Sequence, residues 1–111
     1  MSNDRETRYT EEFENHFNEI IKYLLEKSPK TASTFAQELK LQLIKIEKNP
    51  TANPPELLLP SKQNWFRFAI IKKKWKVIFK VTNKLLFFLG IIHTSRNPSK
   101  IKKLRKNIRK K

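Results

Sequence analysis

The periodicity of apolar residues changes once along this chain, at a proline-rich segment between Asn49 and Pro60. Before this segment, apolar residues recur every three or four positions, which is the spacing of an amphipathic helix. After it, they alternate or run continuously in stretches rich in aromatic and β-branched residues, which favour strands. Four of the six prolines lie in the segment itself, so we expect a linker that is neither helix nor central strand.

The first amphipathic stretch predicts a helix over residues 11–27. Thr10 is a suitable N-cap, and the acidic residues that follow it favour the positive end of the helix dipole. Ser28 ends this helix and Pro29 suits the first turn of the next, which we predict over residues 30–48. The apolar stripe of the first helix consists of Phe13, Phe17, Ile20, Ile21, Leu24 and Leu25.

The second helix has one apolar face and two apolar residues, Leu41 and Ile44, that lie away from it. Two interpretations of the outlying pair remain open. Single exposed leucines are common and carry no meaning by themselves, whereas two of them on one helix also suit a second contact surface for a partner. The predicted core face consists of Ala32, Phe35, Ala36, Leu39, Leu43 and Ile46.

The second half predicts an antiparallel meander of three strands, preceded in the chain by a short edge strand at residues 6–10. The last meander strand is apolar on both faces, so we expect it at the centre of the sheet. A basic helix striped by Ile101, Leu104 and Ile108 follows, with two roles left open: contact with a polyanion, or docking on the core. The meander strands are predicted at residues 64–71, 75–81 and 85–92.

These elements predict a single α+β domain over residues 1–111, with an N-terminal helical hairpin packed on a small antiparallel sheet and a short basic C-terminal helix. Its parts are the short strand and hairpin (6–48), the proline-rich linker (49–63), the meander (64–92) and a basic tail (93–111).

The balance of charge also changes sharply between the two halves of the chain. Residues 1–56 carry eight lysines and arginines against ten acids, whereas residues 57–111 carry seventeen against none. Concentrated like charge opposes folding by self-repulsion and attracts polyanions. We therefore expect a partner that is a nucleic acid, an RNA-rich particle or an acidic protein.

Composition excludes several classes of site. The chain has no cysteine, one glycine (Gly90) and two histidines far apart, so we expect no disulfide, no phosphate-binding glycine loop, no metal site and no cofactor. The N-terminus has no signal-peptide pattern, and the longest apolar run, Leu85 to Ile92, is far shorter than the roughly 20 residues that span a bilayer. We expect a cytoplasmic protein that does not enter a membrane.

The order of elements and several short motifs resemble the RelE/ParE superfamily of type II toxin–antitoxin toxins, which includes plasmid stabilisation toxins. The resemblance covers roughly residues 8–101 and implies the α+β fold that periodicity also predicts. The motifs are Tyr9-Thr10-x-x-Phe13, Ala32-x-x-x-Ala36, Ile46-x-x-x-Pro50, Arg67, the strand Trp75-Lys76-Val77-Ile78-Phe79, and the ending Ile91-Ile92-His93-Thr94-Ser95-Arg96-Asn97-Pro98.

The resemblance implies a growth inhibitor that is neutralised by a cognate antitoxin. RelE-like members cut mRNA on the ribosome, whereas ParE-like members inhibit DNA gyrase by binding. The resemblance also leaves open a homodimer or a heterotetramer with the antitoxin. Because the basic half must be covered, we expect the antitoxin segment that binds the toxin to be net acidic.

Catalysis of RNA cleavage needs a general base, an acid and cations for the developing charge. The candidates in this sequence are His93, Arg67, Arg96 and Lys62, although His93 at a strand end also suits a structural role. The acid-free second half offers no carboxylate base, and no aromatic residue follows Phe88. Candidate residues for binding the target or the antitoxin are Arg67, Lys72, Lys73, Lys74, Lys76, Lys80, His93, Arg96, Lys102, Lys103 and Arg105.

Three functions are therefore open. The sequence favours a ParE-like toxin that acts by binding, with gyrase as the target. The alternatives are a RelE-like ribosome-dependent mRNA endonuclease and a basic nucleic-acid-binding domain without toxin activity. Trp65 and Trp75 bear on this choice, because they suit either the core or stacking on bases.

Overall fold

The computed structural model describes residues 5–95 and 98–105, and every element expected there is present. Two long helices follow a short first strand, and three strands follow the linker, as the change in periodicity predicted. A turn of 3-10 helix at Pro50–Ala52 lies in the linker. The elements are β1 (Glu6–Tyr9), α1 (Glu11–Lys27), α2 (Pro29–Lys48), β2 (Phe66–Ile71), β3 (Trp75–Val81), β4 (Leu85–His93) and α3 (Pro98–Lys102).

The helical hairpin is fixed by local capping. The Thr10 hydroxyl accepts the N–H of Phe13 at 3.1 Å, and the Ser28 hydroxyl accepts the N–H of Thr31 at 3.2 Å. Ser28 also donates its own N–H to the carbonyl of Leu24, so this residue ends α1 and begins α2. Each predicted cap is confirmed, because capping depends on near neighbours in the chain.

The four strands form a mixed sheet in the order β1-β4-β3-β2. The meander is antiparallel throughout and β4 is central, as predicted. The expectation of a wholly antiparallel sheet is wrong for β1, which pairs with β4 in parallel, with Glu6 opposite Leu85. The helical hairpin, linker and two strands separate β1 from β4, so the connection is long enough for either direction, and periodicity carries no information about it.

Both faces of the sheet are buried. The face toward α1 and α2 packs against the predicted helix stripes, including Phe13, Leu24 and Phe35. Of these stripes, Leu25 lies outside the core, with 51% of its surface exposed, and Ala36 is half-buried. The opposite face is covered by the linker and the C-terminal segment, in a second cluster of Leu59, Phe66, Ile78, Phe87, Leu89, Ile92, Ile101 and Leu104.

The second cluster shows how the first part of the C-terminal segment packs. Ile101 and Leu104 are only 6% and 2% exposed, so the interpretation in which this stripe docks on the core is confirmed for both. Ile108 lies outside the described residues. The outlying pair on α2, Leu41 and Ile44, is exposed, and both interpretations of it stay open.

Beyond the end of β1, two side chains form the hydrogen bonds to the backbone edge of β4. The hydroxyl of Thr10 donates to the carbonyl of Leu89 at 3.2 Å, and Nδ1 of His16 accepts the N–H of Ile91 at 3.0 Å. Between them, a Cβ added to Gly90 would lie only 3.0 Å from His16 Nδ1. The single glycine therefore leaves room for the histidine ring that satisfies the strand edge.

Candidate functional site

A groove with a volume of about 1110 Å³ runs between α1, the β2–β3 hairpin tip and the C-terminal end of β4. Lys72 and Lys74 line it from the tip, and Lys100 lines it from α3. Glu12 and Glu19 line it from α1, so both signs of charge face the same space. A concave surface where polar groups converge beside aromatic side chains is a candidate binding site.

His93 lies in this groove and is held by its neighbours. Its ring stands edge-on to Trp75, with centroids 4.9 Å apart at an angle of 87°. Its Nδ1 accepts the N–H of Ser95 at 3.1 Å and lies 2.7 Å from the Ser95 hydroxyl oxygen. This arrangement leaves Nε2 as the ring atom that can face a ligand.

The three lysines of the hairpin tip are exposed on an ordered turn. Lys72 and Lys73 have φ values of 55° and 62°, in the left-handed region that costs energy for residues with a side chain. Lys74 donates its N–H to the carbonyl of Ile71 at 3.1 Å, and the carbonyl of Lys74 accepts the N–H of Thr94 at 2.8 Å. The turn therefore holds Lys72 and Lys74 at the rim of the groove, while Lys73 is exposed at the tip.

The residues of α1 that line the groove, here called the α1 wall, were not predicted from the sequence. Tyr23 is about half exposed, and the Lys27 ammonium lies 5.2 Å from the centre of its ring. The available signal was a second set of residues at helical spacing, beside the apolar stripe. That set consists of Glu12, His16, Glu19, Tyr23 and Lys27.

A second basic surface lies on the sheet face opposite the two long helices. Lys76 and Lys80 flank the buried Ile78 there. The ammonium of Lys76 is 2.9 Å from Oε1 of Glu56 and 4.3 Å from the centre of the Phe68 ring. Glu56 is buried, so the charge of Lys76 is compensated within the chain.

Lys80 has different surroundings. Its ammonium lies 4.9 Å from the Trp65 ring centre and 5.7 Å from that of Phe66. Arg105 covers Phe66 at 4.9 Å and donates to the carbonyl oxygen of Pro60. Burial lowers the pKa of Lys80, and the positive charge of Arg105 lowers it further.

The family follows from comparison with known proteins. A family model described as the ParE toxin of the type II toxin–antitoxin system parDE matches residues 7–98. The chain belongs to the ParE toxin family. This confirms the resemblance drawn from the motifs, and it makes the protein the toxin component of a type II toxin–antitoxin system.

A solved structure agrees with this assignment at the level of fold. The chromosomal ParDE toxin–antitoxin system from P. aeruginosa contains a chain that superposes with a TM-score of 0.63 at 17% sequence identity. The superposition covers 83% of this toxin and 98% of that chain. A comparison with curated proteins finds no match.

The toxin's candidate residues fall in several places. The Arg67 guanidinium donates to the carbonyls of Thr51 at 3.3 Å and Asn53 at 2.6 Å, which fastens the linker to β2. Lys62 is exposed in the linker, and Arg96 lies outside the described residues. Lys102 and Lys103 are exposed on the C-terminal segment.

Neither a metal site nor a membrane-spanning helix is found in the described part of the toxin. Residues 5–95 and 98–105 contain no group of three or more histidine, cysteine or acidic side chains that could hold a metal ion. No helix within these ranges is long and apolar enough to cross a bilayer.

Proposed function

We propose that this toxin inhibits growth by binding DNA gyrase and does not cut RNA. The observation that carries the proposal is that the described candidates for catalysis do not meet around one site. His93 Nδ1 is bound by Ser95, and the guanidinium of Arg67 is bound by linker carbonyls. Cleavage of RNA needs a base, an acid and a cation around one phosphate, and Arg67 and Lys62 do not line the groove that contains His93.

One observation favours the nuclease alternative. The second half of the chain has no carboxylate, yet α1 places Glu12 and Glu19 in the groove with His93, Lys72 and Lys74. Acidic, basic and imidazole groups therefore share one space. Glu12 is bound to His16, with its Oε2 3.1 Å from Nε2, which leaves Glu19 as the carboxylate for such chemistry. Ribosome-dependent mRNA cleavage is therefore the second candidate.

The partner side of the proposal follows from charge. Membership of a toxin–antitoxin family implies a cognate antitoxin, and we propose that its toxin-binding segment is net acidic. The hairpin-tip lysines and Lys80 have no ion pair among the described residues. Association should therefore be steered electrostatically, and its rate should fall as salt concentration rises. An association rate that does not change with salt would contradict this part of the proposal. Both gyrase and the ribosome would place the toxin in the cytoplasm.

The test measures both activities on one preparation. Purified toxin is added to gyrase in a supercoiling assay, and primer extension maps cuts in ribosome-bound mRNA. The wild type is compared with His93→Ala, and Ser95→Ala serves as the matched control because it removes the hydroxyl contact and keeps the imidazole. We expect inhibition of supercoiling, no codon-specific cuts, and an effect of His93→Ala no larger than its effect on folding.

The opposite result has a definite form. If His93 is a general base, the wild type produces codon-specific cuts, and His93→Ala lowers the cleavage rate by about 10²–10⁴ while stability is unchanged. Ser95→Ala would then retain most of the cleavage. This outcome would replace the gyrase proposal with the nuclease alternative.

A further inference from the structure

We propose that Lys80 and Arg105 together form a site for carboxylate side chains of an acidic, partly apolar protein segment. The proposal deepens the proposed function, since it rests on the toxin having an acidic protein partner. Both residues lie on the sheet face opposite α1 and α2, away from the groove that contains His93.

Lys80 projects from a central part of the sheet and is held by aromatic rings. Trp65 and Phe66 lie within 4.9 Å and 5.7 Å of its ammonium, measured to the ring centres. Phe66 is buried, and Trp65 packs against the same cluster. Rings attract a cation but do not neutralise it, so the ammonium is positioned while its charge remains available.

Arg105 is brought to the same place from the C-terminal segment. Leu104, its neighbour, is buried in the second cluster, and the Arg105 guanidinium contacts both Phe66 and the Pro60 carbonyl. One donor group is thus used inside the protein, and a guanidinium has further N–H groups for an anion. Both cations lie near the Phe66 ring, with the Lys80 ammonium 5.7 Å and the Arg105 guanidinium carbon 4.9 Å from its centre. The positive charge of Arg105 accordingly lowers the pKa of Lys80.

The described residues do not supply an anion for this pair. Among residues 5–95 and 98–105, neither Lys80 nor Arg105 has a carboxylate within ion-pair distance. Glu56 is the last acidic residue in the whole sequence, and its carboxylate binds Lys76 and the N–H of Leu58. A carboxylate supplied by a partner would relieve the repulsion between Lys80 and Arg105.

The neighbouring surface favours a protein segment over a nucleic acid. The second cluster is rimmed by partly exposed apolar side chains, which would bind apolar residues of a peptide. Base stacking would need open ring faces, whereas Lys80 lies over Trp65, and Lys80 and Arg105 both lie over Phe66. The rim residues are Leu58, Trp65, Phe68 and Leu85.

The experiment measures peptide binding to the full-length protein by fluorescence anisotropy. The probe is a short labelled peptide in which glutamates alternate with leucine and alanine pairs. A peptide with glutamine at every glutamate position and a single-stranded DNA oligonucleotide of similar length are the comparison probes. Lys80→Met keeps the alkyl stem over Trp65, and Lys84→Met in the exposed β3–β4 turn is the matched loss of charge.

We expect the glutamate peptide to bind, the glutamine peptide to bind at least about tenfold more weakly, and Lys80→Met and Arg105→Gln each to weaken glutamate binding by about tenfold. Lys84→Met should change affinity less than about twofold. Equal binding of the two peptides, no binding of the glutamate peptide, or equal losses in Lys80→Met and Lys84→Met would each overturn the site. Tighter binding of the oligonucleotide through Lys80 would overturn the assignment to a protein segment.

Urea denaturation and the gyrase supercoiling assay separate loss of this site from loss of folding or of gyrase inhibition. Urea denaturation of Lys80→Met should show stability equal to or above wild type, because an unpaired cation is removed from a partly buried position. The peptide assay does not depend on toxicity. Loss of gyrase inhibition with intact Lys80-dependent binding would therefore contradict the proposed function alone, and the reverse result would contradict only this site.

Discussion

Nζ of Lys76 lies 2.9 Å from Oε1 of Glu56, the last acidic side chain in the sequence. Glu56 is only 3% exposed, and its other oxygen accepts the N–H of Leu58 at 3.0 Å. The pair joins the linker to β3, so the carboxylate that ends the acidic half neutralises one lysine of the basic sheet face. Lys76, a candidate for partner binding, thus has a structural contact as well.

Removal of one member of this pair should destabilise the protein. Glu56→Gln leaves Lys76 without its anion, and we expect the free energy of unfolding to fall by about 3 kcal/mol, near the lower end for buried pairs because Lys76 is partly exposed. Lys76→Met instead leaves the buried carboxylate of Glu56 without its cation. Urea denaturation of both variants and of the double variant measures the coupling. The double variant should lose less than the sum of the two single losses, and strictly additive losses would contradict a direct interaction.

His16 makes stability depend on pH. Burial lowers the pKa of His16 below the ordinary histidine value, and the carboxylates of Glu12 and Glu19 offset part of this effect, while Lys100 adds to it. The folded state therefore holds a neutral ring that accepts the N–H of Ile91. The unfolded state takes up the proton at the ordinary pKa of about 6.5.

Stability should accordingly be full above pH about 6.5 and should decrease as pH falls from there toward the lowered pKa of the folded state. Because Gln keeps a side-chain acceptor and does not titrate, His16→Gln should flatten this part of the profile. Chemical denaturation at a series of pH values measures the slope, and His93→Gln is the matched control. Parallel profiles for the wild type and His16→Gln would refute this assignment.

The C-terminal segment should contribute to stability and not only to charge. Leu104→Ala removes a side chain that is 2% exposed, and we expect the free energy of unfolding to fall by about 2–4 kcal/mol. Lys103→Ala, the exposed neighbour, should change it by less than about 0.5 kcal/mol. Truncation after Pro98 should lower the melting temperature, measured by thermal denaturation. A truncated protein that melts with the wild type would contradict the docking seen here.

The hairpin tip offers a stabilising substitution. Lys73 has a left-handed backbone with φ of 62°, which a residue without Cβ adopts at little cost, so Lys73→Gly should raise the free energy of unfolding by about 0.5–1 kcal/mol. Lys74 lacks positive φ, and Lys74→Gly should instead be destabilising. Both variants lose one cation, so charge does not distinguish them. Equal effects in urea denaturation would show that the backbone conformation is not the cause.

The candidate surfaces were only partly predictable from sequence. The lysines of the hairpin tip could be found because a basic run between two strands marks an exposed turn. The α1 wall was missed, since Tyr23 and Glu19 belong to a helix face that periodicity assigns to solvent. That Glu12 and Glu19 share a groove with His93 depends on the packing of α1 beside the end of β4, and no local pattern reports it.

What the sequence determined by itself is local or compositional. Helical and strand periods, the caps Thr10 and Ser28, the central place of β4 and the division of charge all follow from neighbouring residues or from counts. The tertiary structure alone decided the parallel direction of β1, the pairing of Glu56 with Lys76, and the bond between His16 and Ile91. Each of these joins residues far apart in the chain, so its energy depends on how the elements pack, and no single segment carries a signal for it.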